Sequence, residues 1–585
     1  MTRFSATLLA ALVCGIFSSP ARTQEAADPK IVWEEWSDRI FERSQREHKL
    51  VLLHLGAVWC HWCHVMEKMT YQDADVARLV RKHFIAIHVD QDARPDLSNR
   101  YEEYGWPATI MFDEKGTEIV KRRGYIPPGP FTKLLEAVVA DPTPGPSAQP
   151  RSEPVYASAA RMSDELRARL LERWEGGYDA ELGGWGKIQK YLDSDCIELA
   201  MKRGRQAWAE RTLAAHLKLI DPVWGGAYQY SHGGVWENPH YEKIMPFQAD
   251  AIHAHVLNYL KTGSRESLDA AKAVRRYLDG LLRNADGIYY VSQDADLVKG
   301  DHAAEYFALD DAGRRKLGMP RIDTHLYARE NGLAIRALAE LAAASDDADA
   351  LKSALRVADW VLANRSLPEG GFRHDQKDAA GPYLADTLAM GRAFLGLYMA
   401  TADRVWLERS VAAARFIDRT FAAKEGPGYL TVRPSGPLPA VRQIDENTAL
   451  VRWTTLLRAA AKDDSFRAMG ERAMKFLATP DVALTRGMMT AGLLLAEAES
   501  SSEPLKITVV GKRWDPATEA LLREGRRTAD PFLLVELQDE SASARDGAYP
   551  MKERPSAYVC TAEACKGPLF AAAEIRTAAA RLTGR

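Results

Sequence analysis

The sequence predicts a multidomain chain: an α/β layer domain, then an all-α ring of six helical hairpins, then a small C-terminal α/β segment. Three observations carry this. From about Trp33 to Val139, extended apolar runs alternate with helical patterns around Cys60-His61-Trp62-Cys63. Between about 160 and 499 the chain is rich in Ala and Leu with helical periodicity. After about 505 short β-like runs return. At 585 residues the chain is too long for one hydrophobic core.

In the first unit, a helix over Trp36–Glu47 leads to a strand at Leu50–Leu55, the helix that carries the two cysteines, and a strand at Phe84–Asp90. A strand entered at Pro107 follows, then Glu118–Gly124 as a strand and Pro130–Ala140 as a helix. This is the order of a thioredoxin-like domain. Cys60 falls where a strand breaks into a helix, so free N–H groups and the helix dipole there favour a thiolate. Cys63 lies one turn on, in reach of a mixed disulfide formed at Cys60. The layout is that of a dithiol–disulfide redox centre with Cys60 held, accessible and ionisable. A proline entering an apolar strand, in Gly105-Trp106-Pro107-Ala108, fits a substrate-facing edge beside the dithiol, where Trp59, Trp62 and Trp106 are candidate contacts.

His54, six residues before Cys60, stands where many thioredoxins hold a buried proton acceptor for the resolving thiol; the alternative is a strand histidine with a satisfied hydrogen bond. His61 and His64 flank the thiols and either stabilise a thiolate as cations or lie on the helix surface, which suits His64 better. Cys60, Cys63, His61 and His64 could in principle be four zinc ligands, but one helical turn does not aim all four at one metal. No metal and no cofactor is therefore expected.

Asp141–Pro150 holds four prolines and reads as an extended linker, placed at 141–155 between units at 25–140 and 156–500. Within the second unit twelve helices pair as 160–173 with 192–203, 206–219 with 247–261, 265–283 with 329–343, 348–364 with 386–401, 404–421 with 446–461, and 464–478 with 486–499. A glycine–aromatic loop recurs inside the pairs, as in Gly183-Gly184-Trp185, Gly225-Gly226-Ala227-Tyr228, Gly370-Gly371-Phe372 and Gly428-Tyr429. Six such hairpins close into an (α/α)6 toroid with these loops on one rim. In the segment 501–585, strands are expected at Ile507–Gly511, Phe532–Val535 and Ala557–Cys560, with helices at Ala517–Glu524 and Leu569–Leu582.

Met1-Thr2-Arg3 precedes an apolar stretch from Phe4 to Phe17, then small and polar residues to Gln24. That is the pattern of a secretory signal peptide over 1–24, cleaved after Ala21 and removing Cys14, and it predicts a periplasmic or secreted mature chain without a membrane span. Cys60, Cys63, Cys196, Cys560 and Cys565 remain. Cys196 sits in an apolar helix as a core residue; Cys560 and Cys565 form a structural disulfide, stay as two thiols, or exchange electrons with Cys60 and Cys63 if the two ends of the chain fold together. A net charge of −3 gives no sign of a nucleic-acid partner.

The mature chain resembles the thioredoxin-domain-containing family of spermatogenesis-associated protein 20 and its bacterial relatives (the YyaL-like, DUF255 group). Cys60-His61-Trp62-Cys63-His64-Val65-Met66-Glu67 carries the resemblance most specifically. Val89-Asp90, Arg94-Pro95-Asp96, Gly105-Trp106-Pro107, Trp236-Glu237-Asn238-Pro239-His240-Tyr241-Glu242-Lys243, Ser292-Gln293-Asp294-Ala295-Asp296 and Asn331-Gly332-Leu333-Ala334 follow in order. Pro246-Phe247-Gln248 departs from the family's usual Tyr-Asp-Asn, and Tyr104 replaces a glycine. The resemblance implies a thioredoxin-like domain joined to a six-hairpin, glycosidase-like toroid.

The function expected is thiol–disulfide exchange on a protein thiol or disulfide: Cys60 attacks, Cys63 resolves, Pro107 shapes the groove, and His54 or His61 tunes protonation. The toroid is expected to bind a substrate, a partner or a glycan through Trp236, His240, Glu242, Asp294 and Asp296, with Glu330 a further candidate and Trp185, Tyr228 and Tyr289 available for stacking. The alternative is a carbohydrate-active enzyme, a glycoside hydrolase with two carboxyls about 5–10 Å apart or an epimerase-like enzyme using histidines, with a regulatory thioredoxin-like domain. A non-catalytic binding scaffold is the third possibility.

Overall fold

The computed structural model describes residues 30–149, 152–378, 380–539 and 549–583. The expected signal segment at 1–24, with Cys14, lies outside the described residues.

The first unit is a five-stranded sheet in the order Trp33–Glu34, Phe84–Asp90, Leu50–Gly56, Ala108–Phe112, Glu118–Arg123. The first three strands run parallel and the last two antiparallel. Leu50–Gly56 is central and buried along nearly its whole length, so Val51, Leu53 and Leu55 feed one apolar layer and Leu52 the other. Helices His61–Met69, Ala74–His83 and Pro128–Ala140 pack around this sheet, the second of them an addition to the elements expected from the sequence. The Pro-rich segment is not free. Gly145 donates to the Ile119 carbonyl at 2.9 Å, Lys121 N–H donates to Ser147 Oγ at 3.1 Å, and Ala148 is buried. The segment covers the open edge of the Glu118–Arg123 strand, whose backbone groups would otherwise lack partners.

The second unit is the predicted ring. Its inner helices are Ser194–Lys202, Met245–Thr262, Ala328–Ser345, Leu384–Thr401, Ile444–Ala461 and Ala491–Ser500. Each packs on the next and the last packs on the first, which closes the toroid. The outer helices Asp164–Gly177, Gln206–His216, Arg265–Leu281, Ala348–Asn364, Arg404–Phe421 and Ser465–Leu477 cover them. Outer-to-inner loops are long and lie on one rim, while inner-to-outer turns are tight and lie on the other.

Two devices pin the long loops. A side-chain amide on the first turns of an inner helix pairs with one loop residue as a neighbouring strand would. Gln248 does so with both backbone groups of Ala227 (2.7 Å each), Asn331 with Tyr289 (3.1 Å each), and Asn447 with Tyr429 (2.8 and 3.0 Å). Gln248 thus supplies the amide at the position where the family motif departs. In addition, buried Lys190 reaches Asp179 (2.6 Å) and the Gly183 carbonyl (3.1 Å), and buried Lys243 reaches Asp221 (2.6 Å) and the Gly225 carbonyl (2.8 Å). The same aspartate–glycine–lysine knot therefore recurs in the first two hairpins.

The C-terminal unit is a four-stranded sheet in the order Leu533–Asp539, Leu505–Gly511, Ser556–Cys560, Cys565–Leu569, with helices Pro516–Arg526 and Ala572–Thr583. It sits on the tight-turn rim, where Arg526 donates to the Met399 carbonyl and Arg527 pairs with Asp346. The thioredoxin-like unit occupies the opposite rim. Cys560 and Cys565 are bonded to each other and do not approach Cys60. Cys196 is fully buried and free.

Gly225 sits at φ +75° at a close approach to the neighbouring outer helix, where a Cβ would run into the Ala273 carbonyl. We therefore expect Gly225→Ala to destabilise the toroid by at least about 2 kcal/mol, read as a lowered urea midpoint with the slope unchanged.

Candidate functional site

Cys60 is the N-cap of the His61–Met69 helix, and its Sγ accepts the Cys63 N–H at 3.1 Å. The two sulfurs are bonded to one another, so the four-ligand zinc arrangement is not assembled. The Trp106–Pro107 peptide is cis, the Pro107 carbonyl accepts the Gly124 N–H at 2.8 Å, and Trp106 packs against the cysteine pair. Trp59 is buried and donates to Asp92 at 2.7 Å, while Trp62 is 42 % exposed and stacks on Tyr125.

The expected accessibility of Cys60 is corrected by the fold. Cys60 is 3 % exposed and Cys63 1 %. Ile244 and Phe247 of the toroid pack on them together with Trp59 and Trp106. The toroid's Ala295 N–H donates to the Trp59 carbonyl at 3.3 Å. The thiol helix points into the long-loop rim because that rim carries the groups its histidines need.

Those groups are carboxylates. Asp296 Oδ1 meets His61 Nδ1 at 2.7 Å and its Oδ2 meets His64 Nδ1 at 3.1 Å, with Asp294 3.5 Å from His64. Asp296 also accepts the Gly300 N–H at 2.8 Å. Burial alone would raise the Asp296 pKa, but the hydrogen bonds from His61 and His64 outweigh it and hold it at about 2. Burial pushes the His61 imidazolium down, and the hydrogen bond and charge of Asp296 more than offset this, so its pKa ends above the ordinary histidine value. Asp294 is pushed up to about 7 by burial, against the pull of His64. His64 is therefore a buried interdomain residue and not the surface residue expected from helix geometry; the helix face that carries it is covered by the other domain.

Glu242 and His240 complete this cluster. Glu242 is 3 % exposed, its Oε1 lies 3.8 Å from His240 Nδ1, and its Oε2 has no hydrogen-bond partner among the described residues. His240 stacks on Tyr230 and lies near His61. The candidates from the two units, Cys60, Cys63, His61, His240, Glu242, Asp294 and Asp296, thus meet at one interface. Trp236 does not join them: it is 1 % exposed, donates to the Leu182 carbonyl, and lies over Gly184, so its role is core packing. Trp185, Tyr228 and Tyr289 are likewise buried, and Glu330, 1 % exposed, is paired with Arg329. Among the described residues, two groups have the spacing to share a cation: His64 with Asp294 and Asp296, and His54 with Glu67 and His88.

His54 lies behind the thiols. It is fully buried, its Nδ1 meets the Tyr71 hydroxyl at 2.9 Å, and its Nε2 has no hydrogen-bond partner among the described residues. Burial, and then the charge of His88, bring its pKa down to about 3, so it is neutral. Gly56 is the spacer on this side: a Cβ there would lie 3.1 Å from His54 Nε2 and 3.6 Å from Cys63 Sγ.

The sequence reading missed Asp221 and Arg314. Arg314 is buried, donates to both Asp221 oxygens (2.7 and 3.1 Å), and so shares that carboxylate with Lys243. Burial brings Lys243 down to about 8 despite Asp221. The recurring Asp-x-x-x-Gly-Gly spacing at Asp179 and Asp221 was the available signal for the lysine knots; nothing local marks Arg314. No described helix is long and apolar enough to cross a membrane.

Residues 17–139 match the family model Thioredox_DsbH, described as a protein of unknown function, DUF255. Spermatogenesis-associated protein 20 of Mus musculus is 26 % identical over 325 residues, 48 % of this chain and 40 % of that protein. The Homo sapiens protein of the same name is 25 % identical over 318 residues, 48 % of this chain and 40 % of its own length. The chain spans about two fifths of the length of these curated relatives. A solved structure of cellobiose 2-epimerase from Bacillus thermoamylovorans aligns with a TM-score of 0.42 and 13 % identity over 54 % of this chain and 88 % of that one. The amino-terminal unit is thus a DUF255 domain of thioredoxin-like fold, and the chain is a relative of spermatogenesis-associated protein 20, as its cysteine–histidine box implies.

Proposed function

We propose that the protein is a thiol–disulfide oxidoreductase whose redox centre is gated by its own toroid, in a compartment outside the cytosol. The observation that carries this is the bonded Cys60–Cys63 pair at a helix N-terminus, sealed by Ile244, Phe247 and the Asp296 contacts. In the reduced state the Cys63 N–H and the helix dipole stabilise a Cys60 thiolate. That thiolate attacks a substrate disulfide, forming a mixed disulfide and releasing one substrate thiol. Cys63, deprotonated by solvent once the rim opens because neutral His54 is too weak a base to take its proton, then attacks Cys60 Sγ; the second substrate thiol leaves, and the Cys60–Cys63 bond forms as the substrate is reduced. His61 and His64 act through Asp296 as positioning residues that hold the thiol helix against the rim.

Access then requires the two units to separate locally, and Asp296 sets that cost. With an insulin-reduction assay, Cys60→Ser is expected to abolish turnover. Asp296→Ala is expected to raise the rate, and the rate of maleimide labelling of the reduced thiols, by at least about tenfold, since about 1.4 kcal/mol of lost closure suffices. Equal rates for wild type, Cys60→Ser and Asp296→Ala would sink the proposal.

Closure should also depend on pH. Because the folded pKa of His61 is raised, the His61–Asp296 pair contributes fully below about 6.5 and is lost as pH rises through the raised value. Asp296, held at about 2, keeps its charge across this window. Asp294 and Glu242 favour the His61 cation as well, while His240 and His302 lie beside it. Labelling rates, corrected for thiol ionisation, should therefore climb above neutrality in wild type and be flat in Asp296→Ala.

A further inference from the structure

The bore of the ring holds a cavity of about 350 Å³ with a charged wall, separated from the cysteine pair by Phe247, which lines the one and packs on the other. Nearly every charge there has a partner. Arg452 donates to Asp195 (2.8 Å), Glu198 (2.5 Å) and Glu499 (2.8 and 2.9 Å). His253 lies between Glu198 (2.9 Å) and Glu340 (2.7 Å), and Arg336 Nε donates to Glu340 at 2.8 Å.

Arg392, midway along the Leu384–Thr401 inner helix, is the exception. Among the described residues its guanidinium has no hydrogen-bond or ion-pair partner, and it lines the cavity. Burial, then the like charges of Arg336 and Arg452, bring its pKa down to about 9. Asp195 and Glu340 attract it through space but do not bond to it, so the half-buried guanidinium keeps its donors free toward the cavity. Its planar fork is shaped to take a carboxylate or phosphate through two parallel hydrogen bonds. Across the cavity stand Asp193 and Asp250, whose carboxyls burial raises, Asp193 to about 7. Asp193 can thus both donate to and accept from hydroxyl groups near neutrality. The mouth is marked by the Arg486–Asp445 pair at 2.8 Å, where Asp445 is 59 % exposed. The volume lies within the range of about 300–1,000 Å³ usual for small-molecule sites.

We propose that the bore binds a small anionic polyol, a sugar acid or sugar phosphate, with its anionic group on Arg392 and its hydroxyls toward Asp193 and Asp250. This rests on none of the thiol chemistry proposed above, so neither reading stands or falls with the other. The test is calorimetric titration of the full chain with D-glucuronate, with glucose 6-phosphate, and with glucose and inorganic phosphate as controls. The two anionic sugars distinguish a carboxylate from a phosphate group. At least one is expected to bind with one site per chain and more tightly than either control. Arg392→Gln should weaken it at least about tenfold with the circular dichroism unchanged. Should Arg392→Gln fail to fold, Arg392→Lys, which keeps the charge and loses the fork, is expected to fold and bind more weakly than wild type. Absence of binding at millimolar concentration, binding no tighter than that of the controls, or equal affinity in wild type and the folded variant would overturn the proposal.

Discussion

One carboxylate joins the two halves of this protein. Asp296, carried on the toroid, takes the Nδ1 atoms of both His61 and His64 on its two oxygens. The pairing is buried, so it is charge-assisted and little screened. Because the two histidines lie three residues apart on one helix, a single acceptor fixes both the position and the roll of that helix. The cysteine pair at the helix tip is thereby aimed into the rim, and Ile244 and Phe247 close over it. The seal extends outward through Lys68–Asp301 (2.6 Å), His374 to the Asp92 carbonyl (2.7 Å), and Asn99 to Glu446 (3.0 Å).

The rim that receives the thiol helix is itself held by repetition. In an (α/α)6 ring the outer-to-inner loops are long and would be mobile unless their backbone groups found partners. Inner-helix amides at Gln248, Asn331 and Asn447 supply them, and the Asp179–Lys190 and Asp221–Lys243 knots add charge where the first two loops turn. The Ser292–Gln293 strand pairs with Lys243–Ile244, the stretch that carries Glu242 and the knot lysine, and Asp294 and Asp296 follow directly from it. The loop architecture thus sets the carboxylates where the histidines meet them. The opposite rim, with its tight turns, takes the C-terminal sheet and keeps the Cys560–Cys565 pair away from the redox centre.

Much of the fold was legible because it rests on local signals. The strand–turn–helix around Cys60, the proline before Ala108, and twelve amphipathic segments with glycine–aromatic loops each declare themselves within a few residues. The linker failed this test: proline content marks an extended chain, but says nothing of the exposed strand edge at Glu118–Arg123 that the segment covers. Trp236 failed it too, since an aromatic beside paired glycines reads equally as a stacking platform or a core plug.

By itself the sequence determined the units, their order, the cysteine pair at a helix N-cap and the residue types able to tune it, because capping, periodicity and turn chemistry act over short spans. Only the tertiary structure decided that His64 is buried, that Asp294 and Asp296 face a thiol helix some 230 positions earlier in the chain, that the cysteines are closed off, and that Arg392 in the bore has no hydrogen-bond or ion-pair partner among the described residues. Burial, counter-charges and access depend on which surfaces the packed units present to one another, and no run of neighbouring residues encodes that.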